Sequence, residues 1–428
     1  MPGFVTIADD FTGAADQACM LARAGVRSVL VLDEAFAPGD DWDAVTFASR
    51  LRSLPVQQAR RCAERLFSRA DDLASLMVQC KFCSTFDSTP EGNIGPCLDV
   101  ACAVLSQVGC IVVPALPVNG RTTYMGNHFV LGVPLSQSPM ATHPLNPMTD
   151  SNLVRWLGRQ TQRRTGLVPY DTVEQGPTAI RGMLEDLWGS DVAYVVIDCL
   201  SQSHVHHIAR AVADLSFISG SSALAMELPG IWSEEGVLAL QPGKRREPAG
   251  GSATERVAAL SGSCAAQTLR QIEKARGYTA LGVDVRALLE HGVPRVAEDL
   301  AARMEASLQS GGPPLVVAGR SAQEREQITA EAQKAGLSPR DLGLQIEDLM
   351  GRLAKMAVED MGVTRLLVAG GETSGAVCQA LGLRAVEIVA EIDPGVPLSR
   401  SLPDGNLTLA LKGGNFGADD FFRVGSRL

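Results

Sequence analysis

The sequence predicts an α/β protein made of two α/β domains with mainly parallel sheets. The length of 428 residues favours two or three domains over one small fold. Short β-branched runs alternate with helical patterns, which is typical of parallel sheets. A segment rich in Gly, Pro and charge at 241–256 separates two apolar-rich regions. We therefore expect an N-terminal domain over 1–240, a linker over 241–256 and a C-terminal domain over 257–428.

The strands and helices follow in order from the first unit of this pattern. FVTIA at 4–8 predicts a strand, and AADQACMLARAG has apolar residues at helical spacing up to Gly25, which is expected to end the helix. Further strands are predicted at SVLVLD (28–33), AVTFAS (44–49), MVQC (77–80), CIVVPA (110–115) and VAYVVID (192–198). In the second half, an apolar strand runs into a turn of small residues in RVAALSGS (256–263), PLVVAGR (314–320), TRLLVAGGETSG (364–375) and LTLALKGGNFG (407–417).

Composition and charge exclude several classes of protein. The 46% of hydrophobic and 20% of charged residues match a folded globular chain. A net charge of −10 without a basic block argues against nucleic acid and anionic membranes as partners. The apolar runs are too short for a transmembrane helix, and no signal-peptide pattern opens the chain. Ten cysteines are too few for a disulfide scaffold, so we expect a cytoplasmic protein with reduced thiols.

Three glycine-rich turns in the second half suggest a polyphosphate ligand. Gly370 and Gly371 end a strand, and Thr373 or Ser374 is expected to cap the next helix, whose backbone N–H groups could approach an anion. SGSC at 261–264 offers a second helix start of this kind. KGGNFG at 412–417 predicts a flexible loop with one cation, Lys412. Each turn alone is common in α/β domains, and neither GxxxxGK[ST] nor a GxGxxG after a strand is present, so a Walker-type NTPase and a Rossmann dehydrogenase are not supported.

Acidic and basic residues follow the strands of the first half. Asp9 and Asp10 come after the first strand, and Arg50 and Arg52 come after the third. An arginine binds a carboxylate through two parallel hydrogen bonds, and an aspartate can act as a general base, so a carboxylated substrate suits this mixture. The alternatives are that Asp9 or Asp10 caps the helix beginning near Thr12, and that the arginines are surface charges.

The segment KFCSTFDSTPEGNIG at 81–95 is dense in hydroxyl groups. It contains Lys81, Ser84, Thr85, Asp87, Ser88, Thr89 and Asn93. Such a segment suits a polyhydroxylated ligand, with the lysine neutralising an anionic end. The alternative is an elaborate cap for a helix that begins near Asn93.

Cysteines and histidines at two places resemble metal sites only superficially. Cys80 and Cys83 form a CxxC without the second close pair that zinc needs, so buried thiols are the favoured interpretation. The histidines of SHVHHIARAV, His204, His206 and His207, begin a helix that Ser203 is expected to cap at an exposed start. We assign no residue as a metal ligand.

Seven segments in order resemble motifs of the four-carbon acid sugar kinase family. They are IADDFTGAADQA (7–18), RSLP (52–55), KFCSTFDSTPEGNIGP (81–96), PVNGRTTYMGN (117–127), HPLNPMTDSNL (143–153), GGETSG (370–375) and KGGNFG (412–417). The resemblance spans nearly the whole chain. It implies an N-terminal domain for a sugar acid, a C-terminal domain for a nucleotide, and an active site in the cleft between them.

The resemblance also implies an activity, which is ATP-dependent phosphorylation of the 4-hydroxyl of a four-carbon sugar acid with Mg²⁺. The third and fifth segments favour 3-oxo-tetronate as the acid, with D-threonate and D-erythronate as alternatives. A non-catalytic protein that binds nucleotide and sugar acid is the alternative from another class. We expect small-molecule partners, and the sequence is compatible with a homodimer.

By position, the resemblance implies roles for individual residues. No motif fixes the general base, for which Asp10 is our first and Asp87 our second candidate. Substrate-binding candidates are Asp9, Arg52, Lys81, Ser84, Thr85, Ser88, Thr89, Asn119 and Arg121. Nucleotide-binding candidates are Ser263, Gly370, Gly371, Glu372, Thr373, Lys412, Gly413, Gly414 and Asn415. SRLRSLP departs from the family's Lys-Thr-Arg-Ser, so Arg50 remains an alternative to Arg52.

Overall fold

The segment FVTIA forms strand β1 (Phe4–Ala8) in the computed structural model of the protein, and all five of its residues are buried. A strand that is apolar and covered on both faces is typical of the centre of a parallel sheet. The structure describes residues 2–39, 41–143, 146–238, 255–319, 321, 323–324, 330–333 and 336–427. The chain divides into two compact units, Met1–Gly243 and Lys244–Leu428. The linker expected over 241–256 lies outside the described residues as far as residue 254.

The first unit is built on a parallel sheet. Besides β1, its strands are β2 (Ser28–Val31), β3 (Ala44–Ala48), β4 (Met77–Lys81), β5 (Cys110–Val113), β9 (Arg164–Val168), β10 (Val192–Ile197) and β11 (Phe217–Gly220). Their spatial order is β2-β3-β1-β4-β11-β5-β10-β9. The helices are α1 (Phe11–Arg23), α2 (Val56–Asp72), α3 (Ile94–Val104), α4 (Leu153–Gly158), α5 (Tyr170–Glu174), α6 (Pro177–Gly189), α7 (Gln202–Val212) and α8 (Ala223–Glu234).

A small antiparallel sheet, which the sequence did not predict, follows β5 in the chain. Its strands are β6 (Arg121–Tyr124), β7 (Asn127–Val130) and β8 (Val133–Pro134). The backbone N–H of Thr123 donates to the carbonyl of Cys199 over 2.9 Å, which fixes this sheet to the segment that follows β10. We call residues 117–134 the flap.

The second unit is also built on a mostly parallel sheet. Its strands are β12 (Val257–Ser261), β13 (Thr279–Gly282), β14 (Pro314–Val317), β15 (Arg365–Ala369), β16 (Ala385–Asp393), β17 (Val396–Leu402) and β18 (Thr408–Lys412), in the spatial order β13-β14-β12-β15-β18-β17-β16. The pairs β16–β17 and β17–β18 are antiparallel. The described helices are α9 (Ala266–Glu273), α10 (Val285–Gln309), α11 (Pro339–Glu359), α12 (Gly371–Ala380) and α13 (Phe421–Gly425).

These two sheets confirm the predicted fold class, with the antiparallel strands as additions. Each strand named from the sequence is present within a few residues of its expected limits. Helix α1 ends at Arg23, and Gly25 has a φ of +87°, the left-handed conformation expected of a glycine that follows a helix. Among the described residues, no helix has both the length and the apolar character needed to cross a membrane.

Both sheets reverse their winding beside their first strand. In the first unit, β3 lies on one side of β1 and β4 on the other. In the second unit, β14 and β15 flank β12 in the same way. Because a crevice opens at the carboxyl ends of the strands where the winding reverses, each unit has a defined place for a ligand.

Candidate functional site

Three chain segments of the first unit meet at the carboxyl end of β1. The backbone N–H of Asp9 donates to the carbonyl of Lys81, and that of Arg52 donates to the carbonyl of Asp9, each over 3.0 Å. The parallel register places Ala8 beside both Ala48 and Lys81. The acidic, basic and hydroxyl-rich segments that lie far apart in the sequence are therefore joined by backbone hydrogen bonds.

Arg52 and two aspartates form an ion cluster at this place. Its Nε and Nη2 donate to the two carboxylate oxygens of Asp9 over 3.0 and 2.8 Å, and Nη1 donates to Oδ2 of Asp10 over 2.9 Å. Asp87 Oδ2 lies 3.8 Å from the same Nη1. Asp9 thus already occupies Nε and Nη2, a pair of donors through which Arg52 could bind a substrate carboxylate. The structure gives Arg50 no comparable carboxylate contact among the described residues.

Burial and charge act in opposite directions in this cluster. Burial raises the pKa of Asp9, while Arg52 works to lower it. Burial would lower the pKa of Arg52, but Asp9 and Asp10 outweigh it and raise the pKa well above its usual value. The guanidinium therefore remains charged and holds the two aspartates beside each other.

Asp10 fills the capping role that was posed as the alternative to a catalytic role. It is the N-cap of α1, and its Oδ1 accepts from the backbone N–H of Gly13 over 2.8 Å. Its Oδ2 accepts from Arg52. A carboxylate has about four lone-pair directions, so these two contacts leave room for another hydrogen bond.

The sequence did not identify the residue that holds the Arg52 segment in place. The amide of Asn93, at the N-cap of α3, donates to the carbonyls of Leu51, Arg52 and Leu54. It makes no side-chain cap bond to its own helix. Gln160 Oε1 instead accepts from the N–H of Gly95 over 2.9 Å. The only signal in the sequence was the position of this asparagine at the start of a predicted helix.

Lys81 lies against the first turn of α1. It is 3% exposed, and a Cβ on Gly13 would lie 2.7 Å from its Nζ and 2.5 Å from Oδ1 of Asp10. Its Nζ is 3.7 Å from Oδ2 of Asp16, a buried residue that the sequence analysis did not select. Only glycine at position 13 leaves space for the ammonium group at this place.

The hydroxyl groups of the 84–89 segment divide into two sets. Ser88 is buried, donates to the carbonyl of Phe86 and accepts from Trp156 Nε1 and Gln160 Nε2, so its capacity for hydrogen bonds is filled. Thr89 Oγ1 accepts from the N–H of Gly92 over 3.0 Å. The expected contact of Ser88 with a ligand is therefore corrected, because its hydroxyl serves the loop itself.

The remaining polar groups of this segment are less committed. Thr85 Oγ1 is 3.1 Å from the sulfur of Cys83, and Ser84 is partly exposed. Asp87 Oδ1 accepts from the amide of Asn146 over 2.9 Å, whereas Oδ2 has only the longer contact with Arg52. These groups remain available to a ligand.

The flap reaches the same segment through His128. This residue is fully buried, its Nε2 is 2.8 Å from the carbonyl of Ser84 and its Nδ1 is 3.0 Å from Oγ1 of Thr123. Burial lowers its pKa to about 4. A neutral ring that donates from Nε2 and accepts at Nδ1 satisfies both contacts. On the flap, Arg121 donates from Nη1 to the carbonyl of Asn119, and its buried Nε has no hydrogen-bond partner in the described structure.

A pocket opens beside the ion cluster in the first unit. It is lined by Asp9, Leu51, Arg52, Cys80, Phe82, Asp87, Asn93, Ile94 and Cys97. Three of these nine residues are site candidates named from the sequence. Apart from Asn93, the other residues supply an apolar wall, and an apolar wall with a few convergent polar groups is typical of small-molecule sites.

The three glycine turns of the second unit meet at one edge of its sheet. Register places Ser261 beside Ala369 and Ala369 beside Lys412, so the turns after β12, β15 and β18 are neighbours. The N–H of Ser263 donates to the carbonyl of Ala369 over 3.3 Å, and that of Gly370 donates to the carbonyl of Lys412 over 2.8 Å.

Several glycines in these turns have no space for a side chain. A Cβ on Gly262 or Gly370 would lie 2.2 or 2.7 Å from Oγ1 of Thr373, and a Cβ on Gly414 would lie 2.5 Å from Oγ of Ser263. Gly370 also has a φ of +128°. Backbone N–H groups and small hydroxyl side chains therefore line this edge at close range, which is the chemistry of an anion site.

The structure corrects the expected cap of α12. The helix begins at Gly371 with Gly370 as its N-cap, and neither Thr373 nor Ser374 caps it. Ser374 Oγ donates to the carbonyl of Gly370 over 2.7 Å, while the exposed Glu372 stands in the first turn. The backbone N–H groups at this helix start are therefore not covered by a side-chain cap.

Lys412 also differs from the expectation of a cation in a flexible loop. It is the last residue of β18 and is 2% exposed. Its ammonium lies 3.0 Å from Oγ1 of Thr268, 3.1 Å from the carbonyl of Gly413 and 3.4 Å from that of Gly414. Burial lowers its pKa to about 8. The turn is formed by Gly413, Gly414 and Asn415. The Lys412 ammonium holds it in place through the carbonyls of the two glycines.

The segments considered as metal sites have other structural roles. Cys80 is buried, and burial raises its pKa well above the usual value. Ser201, not Ser203, caps α7, and His204 is buried with Nε2 2.6 Å from Glu174. The expected exposed helix start is therefore wrong for His204. In the described part of the chain, no group of three or more Asp, Glu, His or Cys residues could hold a metal ion.

Comparison with known protein families identifies the kind of domain that each half of the chain matches. A family model described as "Sugar-binding N-terminal domain" matches residues 4–228, and one described as "Nucleotide-binding C-terminal domain" matches residues 258–422. Fold and sites thus define a protein with one sugar-binding and one nucleotide-binding domain. The chain belongs to the four-carbon acid sugar kinase family.

Individual relatives agree with this assignment. Proteins named 3-oxo-tetronate kinase from Brucella melitensis and Methylobacterium radiotolerans are 38% and 40% identical to the chain, and each match covers 97% of it and 93% or 96% of the relative. A crystal structure from Salmonella typhimurium LT2, described as that of a tRNA synthase, is 36% identical with a TM-score of 0.87. That match covers 99% of this chain and 98% of the other.

Proposed function

We propose that the protein is an ATP-dependent kinase that converts 3-oxo-tetronate and ATP to 3-oxo-tetronate 4-phosphate and ADP. The observation that carries the proposal is the full-length similarity to relatives named 3-oxo-tetronate kinase, at 37–40% identity over 97% of the chain. The two family domains supply a place for each substrate. The description of the Salmonella structure as a tRNA synthase is not adopted, since a net charge of −10 disfavours binding to a polyanion.

In the first unit, the proposed ligand is the sugar acid. Lys81 is the cation for its carboxylate, because three of the five N–H donors of Arg52 already bind Asp9 and Asp10. Ser84, Thr85 and Arg121 remain as partners for hydroxyl and carbonyl oxygens. Arg52, Asp9 and Thr89 contribute by holding the loops that carry these groups.

In the second unit, the proposed ligand is ATP. The N–H groups around Ser263, Gly370, Gly371 and Thr373, together with the turn at Gly413–Asn415, suit its phosphates. The described acidic residues include no metal-holding group, so we propose that Mg²⁺ is bound mainly through the phosphate oxygens of ATP. Mg²⁺ would neutralise charge on the transferred phosphoryl group.

Phosphoryl transfer needs an oriented hydroxyl group more than it needs covalent chemistry. Asp10 is the proposed acceptor of the 4-hydroxyl proton, since its carboxylate keeps lone pairs beside Lys81, and Asp87 is the second candidate. Replacing the base by Asn should lower kcat by about 10²–10⁴-fold with ATP binding unchanged. A near-normal kcat for Asp10→Asn with a large loss for Asp87→Asn would transfer the role to Asp87.

The experiment that tests the function is a screen of four-carbon acids with MgATP. ADP release and the position of the new phosphate are measured for 3-oxo-tetronate, D-threonate and D-erythronate side by side. We expect the highest kcat/KM for 3-oxo-tetronate, with phosphate on the terminal oxygen. Preference for another acid would retain the kinase and change its substrate. Binding of both ligands without ADP release would support the non-catalytic alternative.

Two further predictions accompany the function. The domain limits 1–240 and 257–428 can be compared by limited proteolysis with the matched ranges 4–228 and 258–422. A homodimer can be tested by light scattering of the full chain.

A further inference from the structure

A buried pair of opposite charges behind the first turn of α1 has unused hydrogen-bonding capacity. Lys81 is 3% exposed, and its ammonium has no hydrogen-bond acceptor among the described residues. Asp16 is 7% exposed, and its Oδ1 is buried without a hydrogen-bond partner in the same part of the structure. Buried polar groups are nearly always satisfied, so the lysine ammonium without an acceptor suggests a site that a ligand completes.

Asp16 is held in place from a different element. Its Oδ2 accepts from the hydroxyl of Ser222 over 2.6 Å, and Ser222 is the N-cap of α8. A carboxylate at a helix N-terminus is electrostatically favoured. The same Oδ2 lies 3.7 Å from the ammonium of Lys81. Asp16 thus links the start of α8 to the lysine at the end of β4.

The ammonium also lies at the N-terminal end of helix α1. It lies close to Gly13, in the first turn of the 13-residue helix α1, where the helix dipole is also positive. Asp10 Oδ1 is already bound to the N–H of Gly13. A ligand carboxylate at this point would accept from the lysine and meet the positive end of the helix.

We propose that Asp16, held by Ser222, is a positioning residue that keeps the Lys81 ammonium aimed at the carboxylate of the sugar acid. This inference rests on the proposed function and deepens it, because it assigns the recognition of the acid end of the substrate. In this proposal Asp16 acts through the lysine, whose ammonium lies 3.7 Å from its Oδ2. Its effect is therefore exerted on the KM for the acid and not on the transfer step.

The test is a double-mutant cycle in the full chain. Asp16→Asn should raise KM for the sugar acid by about 10-fold, with kcat and KM for ATP changed by less than about threefold. Lys81→Met should raise the same KM further. Because Asp16 acts through Lys81, adding Asp16→Asn to Lys81→Met should change KM little.

A milder variant and a matched control complete the experiment. Ser222→Ala keeps the carboxylate and removes its hydrogen bond, so it should raise KM for the acid in the same direction, and Ser222→Thr should restore it. Asp99→Asn is the control, since Asp99 accepts from Tyr194 and Thr161 in the same unit and contacts neither Lys81 nor Asp16. If Asp16→Asn does not fold, Ser222→Ala carries the test.

Each result supports or overturns the proposal. Additive effects in the cycle, or an equal loss in kcat and in both KM values, would show a merely structural Asp16. A KM for the acid that is unchanged in Ser222→Ala and Asp16→Asn would do the same. Absence of turnover by the unmodified protein with every four-carbon acid would overturn the proposed function as well, and so the two failures are distinguishable.

Discussion

At the scale of single residues, the two units use buried cations differently. Arg52 uses three of its five N–H donors on Asp9 and Asp10 and organises the loops of the first unit, whereas the Lys81 ammonium has no hydrogen-bond acceptor among the described residues. Lys412 in the second unit uses its donors on the glycine turn. The charge of a residue therefore does not identify its role, because its existing partners decide what it can still bind.

Lys412 gives a prediction for the pH dependence of nucleotide binding. Three acceptors face its nitrogen, and a neutral amine has only two N–H groups, so loss of the proton at a pKa of about 8 weakens the hold on the turn. KM for ATP should rise by about 5–10-fold between pH 7 and pH 9.5, the effect of losing one hydrogen bond of about 1 kcal/mol. In Lys412→Met, KM for ATP should already be high and independent of pH. A flat profile for the unmodified protein would contradict this prediction.

His128 gives a prediction for acid stability. Its pKa in the folded protein is lowered from 6.5 to about 4, so the unfolded chain binds the proton first as the pH falls. As the pH falls from above 6.5 to about 4, this difference in pKa should lower the free energy of unfolding by about 3 kcal/mol. About 2 kcal/mol of this loss is reached at pH 5.

The measurement is urea unfolding of the unmodified protein and His128→Gln at pH 7 and pH 5. The unmodified protein should lose about 2 kcal/mol more than the variant between the two conditions. Equal losses would mean that the buried histidine is protonated in the folded state.

At the scale of elements, the strand ends position both candidate sites. Backbone hydrogen bonds between neighbouring strand ends fix the Asp9, Arg52 and Lys81 segments in one unit and the Ser263, Gly370 and Lys412 segments in the other. Loops held in this way by a rigid sheet are well suited to carry binding groups. The flap adds a support for the hydroxyl-rich segment through His128 and Ser84.

Two glycines of one motif provide a matched comparison for the turn before α12. Gly370→Ala forces a Cβ to within 2.7 Å of Thr373 Oγ1 at a φ of +128°, and we expect it to cost about 1–3 kcal/mol and to weaken ATP binding by at least about 10-fold. Gly375 lies inside α12, and its Cβ would have no heavy atom within 4 Å.

Gly375→Ala should therefore bind ATP normally and should be more stable by about 0.5–1 kcal/mol, because alanine favours a helix. Calorimetry with ATP and thermal unfolding measure the two effects. A similar loss of ATP affinity in both variants would argue against close approach of phosphate to Gly370.

At the scale of the whole molecule, the proposed ligands belong to separate units, and this makes their effects separable. A ligand present at 100 times its Kd stabilises the unit that binds it by about 2.7 kcal/mol. In Gly370→Ala, the sugar acid should raise the melting temperature as before, while the same concentration of ATP should raise it less. In Lys81→Met, the reverse is expected. Loss of both shifts in one variant would show that the binding assignments are wrong.

The sequence anticipated most of the parallel strands, but not β9, β11 or β13, and it anticipated the elements that carry the candidate sites. The strands β1, β3, β4, β12, β15 and β18 are recognisable because buried parallel strands are continuous apolar runs. The flap and the antiparallel pair β16–β17 were also missed. Many side chains of the flap and of β16 are only partly buried and give a weaker apolar pattern, whereas β17 is mostly buried. The role of Asn93 and the residues His128 and Asp16 were also missed, because their partners lie 30 or more residues away in the sequence or on another element.

By itself, the sequence determined the alternation of strands and helices, the chemical character of each turn and membership of a kinase family. These properties are local, or they follow from ordered motifs. Only the tertiary structure decided which of those groups remain free. Asp9 occupies two parallel donors of Arg52, the hydroxyl of Ser88 has no capacity left, and the Lys412 ammonium is bound to its own turn. The Lys81 ammonium is ion-paired with Asp16 but has no hydrogen-bond acceptor among the described residues. The reason is that hydrogen-bond satisfaction depends on neighbours in space, which residue type and spacing along a chain do not specify.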